Sequence, residues 1–222
     1  AYEIIMSHSF RPWEGAEGRI SGQYKIALLE MAKKDIAAGA YSEAEEKLEK
    51  ALVYPENLGE GKLEGTKDNN LYYYLGLVKE ALGKEGAEEC FHLAELGDNE
   101  PAGAMYYYDQ PADMILYKGL AKQKLGKTKE AHACFNKLMD YGERHLNDVV
   151  KNDFFAVSLP DFLIFEDDMD KRNKAHCYYL MGLANLGMGQ KEKAVEEFDK
   201  ALEYDFNHQN CRIYKELAKG EL

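Results

Sequence analysis

The residues whose chemistry stands out first lie in a glycine-rich stretch near the start of the chain, FRPWEGAEG at positions 10–18, which holds the only Trp. Carbohydrate sites commonly combine an aromatic ring, against which a sugar stacks, with carboxylates that accept hydroxyl hydrogen bonds or transfer protons. Trp13 is a candidate stacking platform in such a site. Glu14 and Glu17 are the candidate acid and base residues.

The same stretch also has a purely structural interpretation. Trp13 would pack under the first helical element, and Glu14 and Glu17 would flank a helix that starts near Ser21, since carboxylates are favourable near the positive end of a helix dipole. The sequence leaves both interpretations open. We take this stretch as the first candidate for a functional loop.

A second candidate is a run of three tyrosines followed by an aspartate, at Tyr106, Tyr107, Tyr108 and Asp109. Three adjacent tyrosines cannot all face a core, so we expect at least one to be exposed and able to stack against, or hydrogen-bond to, a ligand. Packing between helices is the alternative. A further tyrosine run at positions 72–74 falls on a predicted helix, and we interpret it as structural.

The sequence carries no recognisable catalytic or metal-binding set. The acidic cluster at positions 166–170 lacks the alternating pattern of a calcium-binding loop and its distal Glu, so we expect a solvated turn in which Asp170 or a neighbour caps the next helix. The six histidines show no HExxH spacing, and no Ser or Cys lies in a nucleophile elbow. We therefore expect no metal, no cofactor and no enzymatic activity for this chain alone.

Composition and charge indicate a folded protein that avoids polyanions. The 222-residue chain has 28 Lys and Arg against 40 Asp and Glu, which gives a net charge of −12. This charge repels phosphate backbones and anionic membrane surfaces. No apolar run approaches the roughly 20 residues needed to cross a bilayer. We do not expect nucleic acid or membranes as partners.

The cysteines and the first residue lead to expectations about the cellular location and the extent of the protein. The four cysteines form no CxxC pair, so we expect buried thiols in a reducing compartment, and a cytoplasmic location. Because the chain does not begin with Met, we expect it to be part of a longer protein.

An internal repeat is the strongest signal in the sequence. From Gly182, small or apolar residues recur at fixed spacing, at Gly189, Ala194, Phe198 and Ala201. The same spacing fits three other frames: Ala32, Gly39, Ala44, Leu48 and Ala51; Gly76, Gly83, Ala87 and Phe91; Gly119, Gly126, Ala131, Phe135 and Leu138. In the frame that starts at Gly76, Ala87 and Phe91 each come one residue early.

The pattern predicts antiparallel helix pairs. A small residue on the first helix lets the second approach closely, the middle glycine ends the first helix in a left-handed conformation, and the large apolar residue fills space between helices. We expect an all-α fold of about four pairs, long insertions and a C-terminal capping helix. The predicted pairs span 21–54, 69–97, 112–140 and 174–206, the capping helix spans 207–219, and the insertions span 55–70, 97–111 and 140–173, in one repeat domain over 1–222.

The insertions differ in character. The first, PENLGEGKLEGTKDNN, is rich in glycine and charge and is predicted to be a mobile loop. The third carries FFAVSLPDFLIF, whose Pro160 breaks a continuous helix. So many apolar residues are expected to fold back against the helices.

The spacing of small and aromatic residues resembles the tetratricopeptide repeat, although Phe206 stands where that family usually has Pro. The stretches 10–24 and 154–183 further resemble the C-terminal helical region of a family of long bacterial proteins. In that family, tetratricopeptide repeats follow a β-rich domain of unknown function related to sugar-mutarotase sandwiches. The resemblance implies a C-terminal module of a protein linked to carbohydrate metabolism.

The repeat interpretation leads to two functional hypotheses. The first is a noncatalytic solenoid that contacts a protein partner or an upstream domain of its own polypeptide. The carboxylate clamp of chaperone-binding tetratricopeptide domains is missing, because Leu77, Leu120 and Leu183 follow the repeat glycines where that clamp has Asn. The alternative is a contribution to a glycan-binding or glycoside-processing site through Trp13, Tyr107 and the two glutamates.

Overall fold

The computed structural model of the chain describes residues 1–11, 18–104, 111–150 and 168–220. All regular secondary structure in these ranges is helical, and they contain no strand. The all-α, helical-repeat fold predicted from the sequence is thus confirmed. Among the described helices, none combines the length and the apolar character that a membrane span requires.

The helices follow one another with short connections inside each pair. Their bounds are α1 Tyr2–Met6, α2 Arg19–Ala37, α3 Tyr41–Ala51, α4 Asn69–Leu82, α5 Ala87–Ala94, α6 Ala112–Lys124, α7 Thr128–His145, α8 Met169–Gly187, α9 Lys191–Tyr204 and α10 Gln209–Lys219. A short 3-10 helix, Glu56–Leu58, lies between α3 and α4.

Neighbouring helices pack as the predicted pairs, α2 with α3, α4 with α5, α6 with α7 and α8 with α9, and α10 packs on α9 as a cap. The repeat residues explain the close approach within a pair. A Cβ atom added to Gly76 would lie 2.6 Å from the ring of Phe91, and one added to Gly119 or Gly182 would collide with the phenylalanine of the paired helix. Only glycine leaves room for these rings.

The turn inside each pair uses the predicted left-handed glycine. Gly39, Gly126 and Gly189 have φ of +74°, +74° and +75°, and Gly83 has φ of +64°. A residue with a side chain is strained in this region. The second pair reaches α5 through a second glycine of positive φ, Gly86, which directly precedes that helix.

Two compact units divide the chain, Ala1–Leu96 and Gly97–Leu222. We call them unit 1, which contains α1 to α5, and unit 2, which contains α6 to α10. The single repeat domain expected from the sequence stays a prediction.

The helix ends around the third insertion differ from the repeat template. Helix α7 continues to His145, and α8 begins at Met169, five residues before the template start at position 174. The acidic turn is in part as expected: Asp168 caps α8 by accepting a hydrogen bond from the Lys171 amide at 3.1 Å. The apolar segment expected to fold back lies within residues 151–167, outside the described residues.

All four cysteines are buried, unpaired thiols, as the sequence predicted. Burial raises the pKa of the Cys177 thiol to about 12, with a further contribution from the charge of Asp148. Such thiols are unreactive in the folded state.

Candidate interaction site

The residues proposed from the sequence as ligand contacts lie outside the described residues. Trp13, Glu14 and Glu17 fall within 12–17, and the run from Tyr106 to Asp109 falls within 105–110. What the structure does describe is the residues that flank both segments, and in each case flanking residues on both sides are hydrogen-bonded to other parts of the chain.

Described residues on either side of the Trp13 segment are bonded to the same short stretch of the first insertion. The Phe10 amide donates to the Asn57 carbonyl oxygen at 2.8 Å. At the other end, the Glu60 carboxylate accepts hydrogen bonds from the amides of Gly18 at 2.9 Å and Ser21 at 3.2 Å. These are amides at the start of α2, so Glu60 acts as a cap supplied by a distant part of the chain.

The ionisation of Glu60 reflects this capping role. Burial alone would raise the pKa of its carboxyl group, but hydrogen bonds from the Ser21 hydroxyl and from the amides of Gly18 and Ser21 outweigh that effect, and the pKa is lowered. The carboxylate is therefore the form that the fold favours, and its negative charge lies at the positive end of α2.

Asn57 and Gly59 bring the insertion against the chain start. The Asn57 side-chain amide donates to the carbonyl oxygens of Ile5 at 3.0 Å and His8 at 2.9 Å. Gly59 has φ of +75°, and an added Cβ atom would collide with the Phe10 carbonyl. A side chain at position 59 would thus be excluded by both conformation and space.

A buried carboxylate joins the end of the insertion to α2. Asp68, whose side chain is 2% exposed, pairs with Lys25 at 2.9 Å and with Lys62 at 2.6 Å. Lys62 also donates to the Leu52 carbonyl oxygen at 2.9 Å. Burial would lower the pKa of Lys25, but the charge of Asp68 and contacts with Tyr54 raise it.

These contacts change the interpretation of the first insertion. The sequence predicted a mobile loop at 55–70, but its residues contact α1, the start and middle of α2, and the residue after α3. The sequence analysis missed Asn57, Glu60 and Asp68 as organising residues. Their partners within the first 25 residues are 39 to 52 positions away, and no periodic pattern connects them.

The segment at 105–110 is bonded on both sides within unit 2. Before it, Arg172 of α8 donates to the Ala104 carbonyl oxygen at 3.3 Å, and His176 donates from Nε2 to that of Ala102 at 2.8 Å. After it, Asp113 in the first turn of α6 accepts a hydrogen bond from the Tyr214 hydroxyl of α10 at 2.8 Å.

Asp113 lies in an aromatic cluster built from three helices. The rings of Tyr117 from α6 and Tyr179 from α8 lie 6.3 and 6.2 Å from that of Tyr214, measured between centroids. All three tyrosines are buried. Burial raises the pKa of Tyr214 well above its usual range, and the charge of Asp113 adds to the effect. The tyrosine therefore stays protonated and remains a hydrogen-bond donor.

The first helices of the pairs differ in exposure between the units. Every residue of α6 from Ala112 to Gly119 is buried, and in α8 from Ala175 to Gly187 only Tyr178 and Leu186 are not. Helices buried on all sides offer no face to a ligand.

In unit 1, α4 keeps a partly exposed stripe at helical spacing, which consists of Asn70, Tyr73, Leu77 and Glu80. We call these four residues the α4 stripe. It combines an aromatic, an aliphatic, an amide and a carboxylate side chain, a mixture suited to a protein interface.

No group of His, Cys, Asp or Glu in the described ranges is arranged to hold a metal ion. What the described residues do offer is the partly exposed helix face of α4. The fold defines the class of the molecule: an all-α, helical-repeat protein built from consecutive helix pairs.

Comparison with known proteins does not define the class of the molecule more narrowly. No family model matches the chain. Among solved structures, the chain is similar to "MamA RS-1 ArsTM double mutant", with 16% sequence identity over 89% of this chain and 84% of that one, and a TM-score of 0.29. The alignment is long, but the shared geometry is slight.

Proposed function

We propose that this chain is a noncatalytic helical-repeat module that binds a protein partner through the α4 stripe of unit 1. The observation that carries the proposal is the contrast in exposure: α6 and α8 of unit 2 are buried on nearly all sides, whereas α4 leaves one continuous face in part accessible. First helices of stacked pairs are the elements that repeat proteins use for binding.

The chemistry of the stripe suggests the kind of partner. Tyr73 and Leu77 supply apolar contact area, and Glu80 supplies a negative charge at one end of the stripe. The chain as a whole carries a net charge of −12, which favours encounter with a basic protein surface. A partner segment with an apolar anchor next to Lys or Arg fits these features, whether it belongs to another protein or to another domain of the same polypeptide.

Position-specific photo-crosslinking tests the proposal. A photoreactive residue is introduced at Leu77 and, as a matched control, at the exposed Glu46 of α3 in the same unit. We expect one partner to crosslink from position 77 and not from position 46, and Leu77→Arg to reduce its affinity at least about tenfold. Equal crosslinking from both positions, or a Glu46→Arg variant that weakens binding as much as Leu77→Arg, would contradict the proposal.

The glycan hypothesis stays a prediction, because its residues lie outside the described ranges. Its test is the sugar turnover of the parent protein that the sequence resemblance implies. Glu14→Gln is expected to abolish that turnover if Glu14 transfers a proton, and unchanged turnover would remove Glu14 from that role.

A further inference from the structure

The first turn of α10 is capped by a histidine that can accept its hydrogen bond only in the neutral form. His208 is the N-cap of α10, and its Nδ1 atom accepts a hydrogen bond from the Cys211 amide at 3.2 Å. An imidazolium ring has no acceptor nitrogen. Protonation of His208 would therefore remove this cap and place a positive charge at the positive end of a helix dipole.

The surroundings of His208 oppose a positive charge from several directions. Its ring packs against Tyr179 of α8, with 4.8 Å between centroids. Burial lowers the pKa of His208, the charge of Asp205 at the end of α9 partly compensates, and the Arg172 guanidinium of α8 lowers it further. Arg212 of α10 lies over the Phe206 ring on the same turn, 4.4 Å from the ring centroid.

A second buried histidine, His176 of α8, adds to the resistance against a positive charge. Burial lowers the pKa of His176 to about 4, and the hydrogen bond to Ala102 only partly offsets this, while His208 and Arg172 lower the pKa further. On its α7 side it meets the ring of Tyr141, at 6.1 Å between centroids. His176 and His208 thus each disfavour a proton on the other.

We propose that α10 is an acid-sensitive cap, held against α8 and α9 near neutral pH and released when His208 and His176 are protonated. The direction of this pH dependence follows from proton linkage. A histidine whose pKa is lowered in the closed state binds protons more tightly once the helix is released. The closed state is therefore favoured above the ordinary histidine pKa and loses stability as the pH falls below it.

Release would change the exposure of unit 2. Helix α10 contributes Tyr214, whose hydroxyl donates to the buried Asp113, and Cys211, which is 0% exposed. Its departure removes the Tyr214 donor from Asp113 and uncovers part of Tyr117 and Tyr179. Because losing that hydrogen bond costs free energy, it favours the closed state, in which α10 is packed, at neutral pH.

The release can be measured through the thiol of Cys211. 4,4′-Dithiodipyridine reacts with thiols at acidic as well as neutral pH, and mass spectrometry assigns the reaction to individual cysteines. We expect the Cys211 rate, corrected with the unfolded chain at each pH, to rise about tenfold between pH 7.5 and pH 5, and by no more than about thirtyfold for each histidine, because pH 5 lies only about 1.5 units below the ordinary histidine pKa. Cys90 in unit 1 and the Trp13 emission are expected to stay unchanged.

Substitutions at position 208 separate capping from titration. Asn is among the best N-cap residues and does not titrate, so His208→Asn is expected to keep Cys211 protected at both pH values. His208→Ala loses the cap and is expected to expose Cys211 already at pH 7.5.

Three results would each overturn the proposal. One is a wild-type Cys211 rate, corrected as above, that is the same at both pH values. Another is a His208→Asn variant that responds to acid as the wild type does. The third is a rise at Cys90 that matches the rise at Cys211 and accompanies loss of helix content, because acid would then melt the whole chain.

Discussion

Units 1 and 2 are built from the same kind of helix pair, yet they cover those pairs in different ways. In unit 1 the polar residues Asn57, Glu60 and Asp68 of one insertion contact α1 and α2, and Lys62 of the same insertion contacts the residue after α3. In unit 2 the first helices are buried on nearly all sides, and α10 adds Tyr214 to an aromatic cluster with Tyr117 and Tyr179.

The difference shows which packing contacts the helical repeat determines and which it does not. Glycine and phenylalanine at fixed spacing determine how two helices of a pair meet, and this part is the same in both units. The repeat does not determine which residues cover the outer faces of the helix pairs. Unit 1 covers its start with hydrogen bonds and ion pairs, whereas unit 2 covers its end with aromatic rings, so the two units should respond differently to substitution.

The largest expected effect concerns the repeat phenylalanines. Phe135 is 0% exposed and packs against both Gly119 of its own pair and Gly187 of the next helix, so Phe135→Ala leaves a cavity bounded by two helices and is expected to cost about 3–5 kcal/mol in the free energy of unfolding. Urea denaturation followed by far-UV circular dichroism measures it. Phe91→Ala in unit 1 is the matched control, because Phe91 is placed against one such glycine, Gly76, and an equal or larger loss there would contradict the importance of the second helix contact of Phe135.

The buried carboxylate of unit 1 should come next. Asp68→Asn leaves Lys25 and Lys62 without the charge that both contact, which is expected to cost about 2 kcal/mol of unfolding free energy. The control is Glu100→Gln in unit 2, which removes one partner of an ion pair whose side chains are 71% and 44% exposed and should cost less than about 1 kcal/mol. Similar losses in the two variants would show that the insertion is not held by Asp68.

The repeat glycines give a smaller effect of defined sign. Gly119→Ala forces a methyl group into the Phe135 ring and is expected to destabilise unit 2 by about 1–2 kcal/mol. Gly22→Ala, on α2 of unit 1, meets no atom within 4 Å and should be neutral or stabilising by up to about 1 kcal/mol, because alanine is the better helix former. Thermal melting of both variants checks this, and destabilisation by Gly22→Ala would run against it.

The smallest effect concerns the two carboxylates that cap helices. Glu60 caps α2 and Asp168 caps α8, and in each the pKa is lowered: for Glu60 the hydrogen bonds it accepts outweigh burial, and for Asp168 the main cause is the hydrogen bond from the Lys171 amide. Each therefore contributes stability that is present above the ordinary carboxyl pKa and is lost as the pH falls through the lowered value.

Glu60→Gln is expected to cost less than about 1 kcal/mol at neutral pH and to shift the emission of Trp13, the sole Trp. Asp168→Asn, which alters the cap of another helix, α8, is the matched control and should leave that emission unchanged. Equal shifts in the two variants would contradict the role of Glu60 as the residue that caps α2, directly after the Trp13 segment.

The fold could be predicted from the sequence to a greater extent than the candidate site. The helix pairs follow from residues a few turns apart, and Gly126 with Phe135 carries that information locally. The α4 stripe was not predicted as a site: Leu77 entered the sequence analysis only as evidence against a carboxylate clamp. Its relevance depends on which first helices other parts of the chain cover, and spacing within one helix does not contain that information.

The sequence by itself determined the helix pairs, their left-handed glycine turns and the contact of a glycine with a phenylalanine, because these depend on backbone conformation and on periodicity within about 20 residues. Only the tertiary structure decided that Glu60 caps α2, that Asp68 pairs with Lys25 of α2, and that the His208 ring packs against Tyr179 of α8. Each of those contacts depends on how separate elements come together in space, and a side chain's partner across such a distance leaves no pattern in the order of residues.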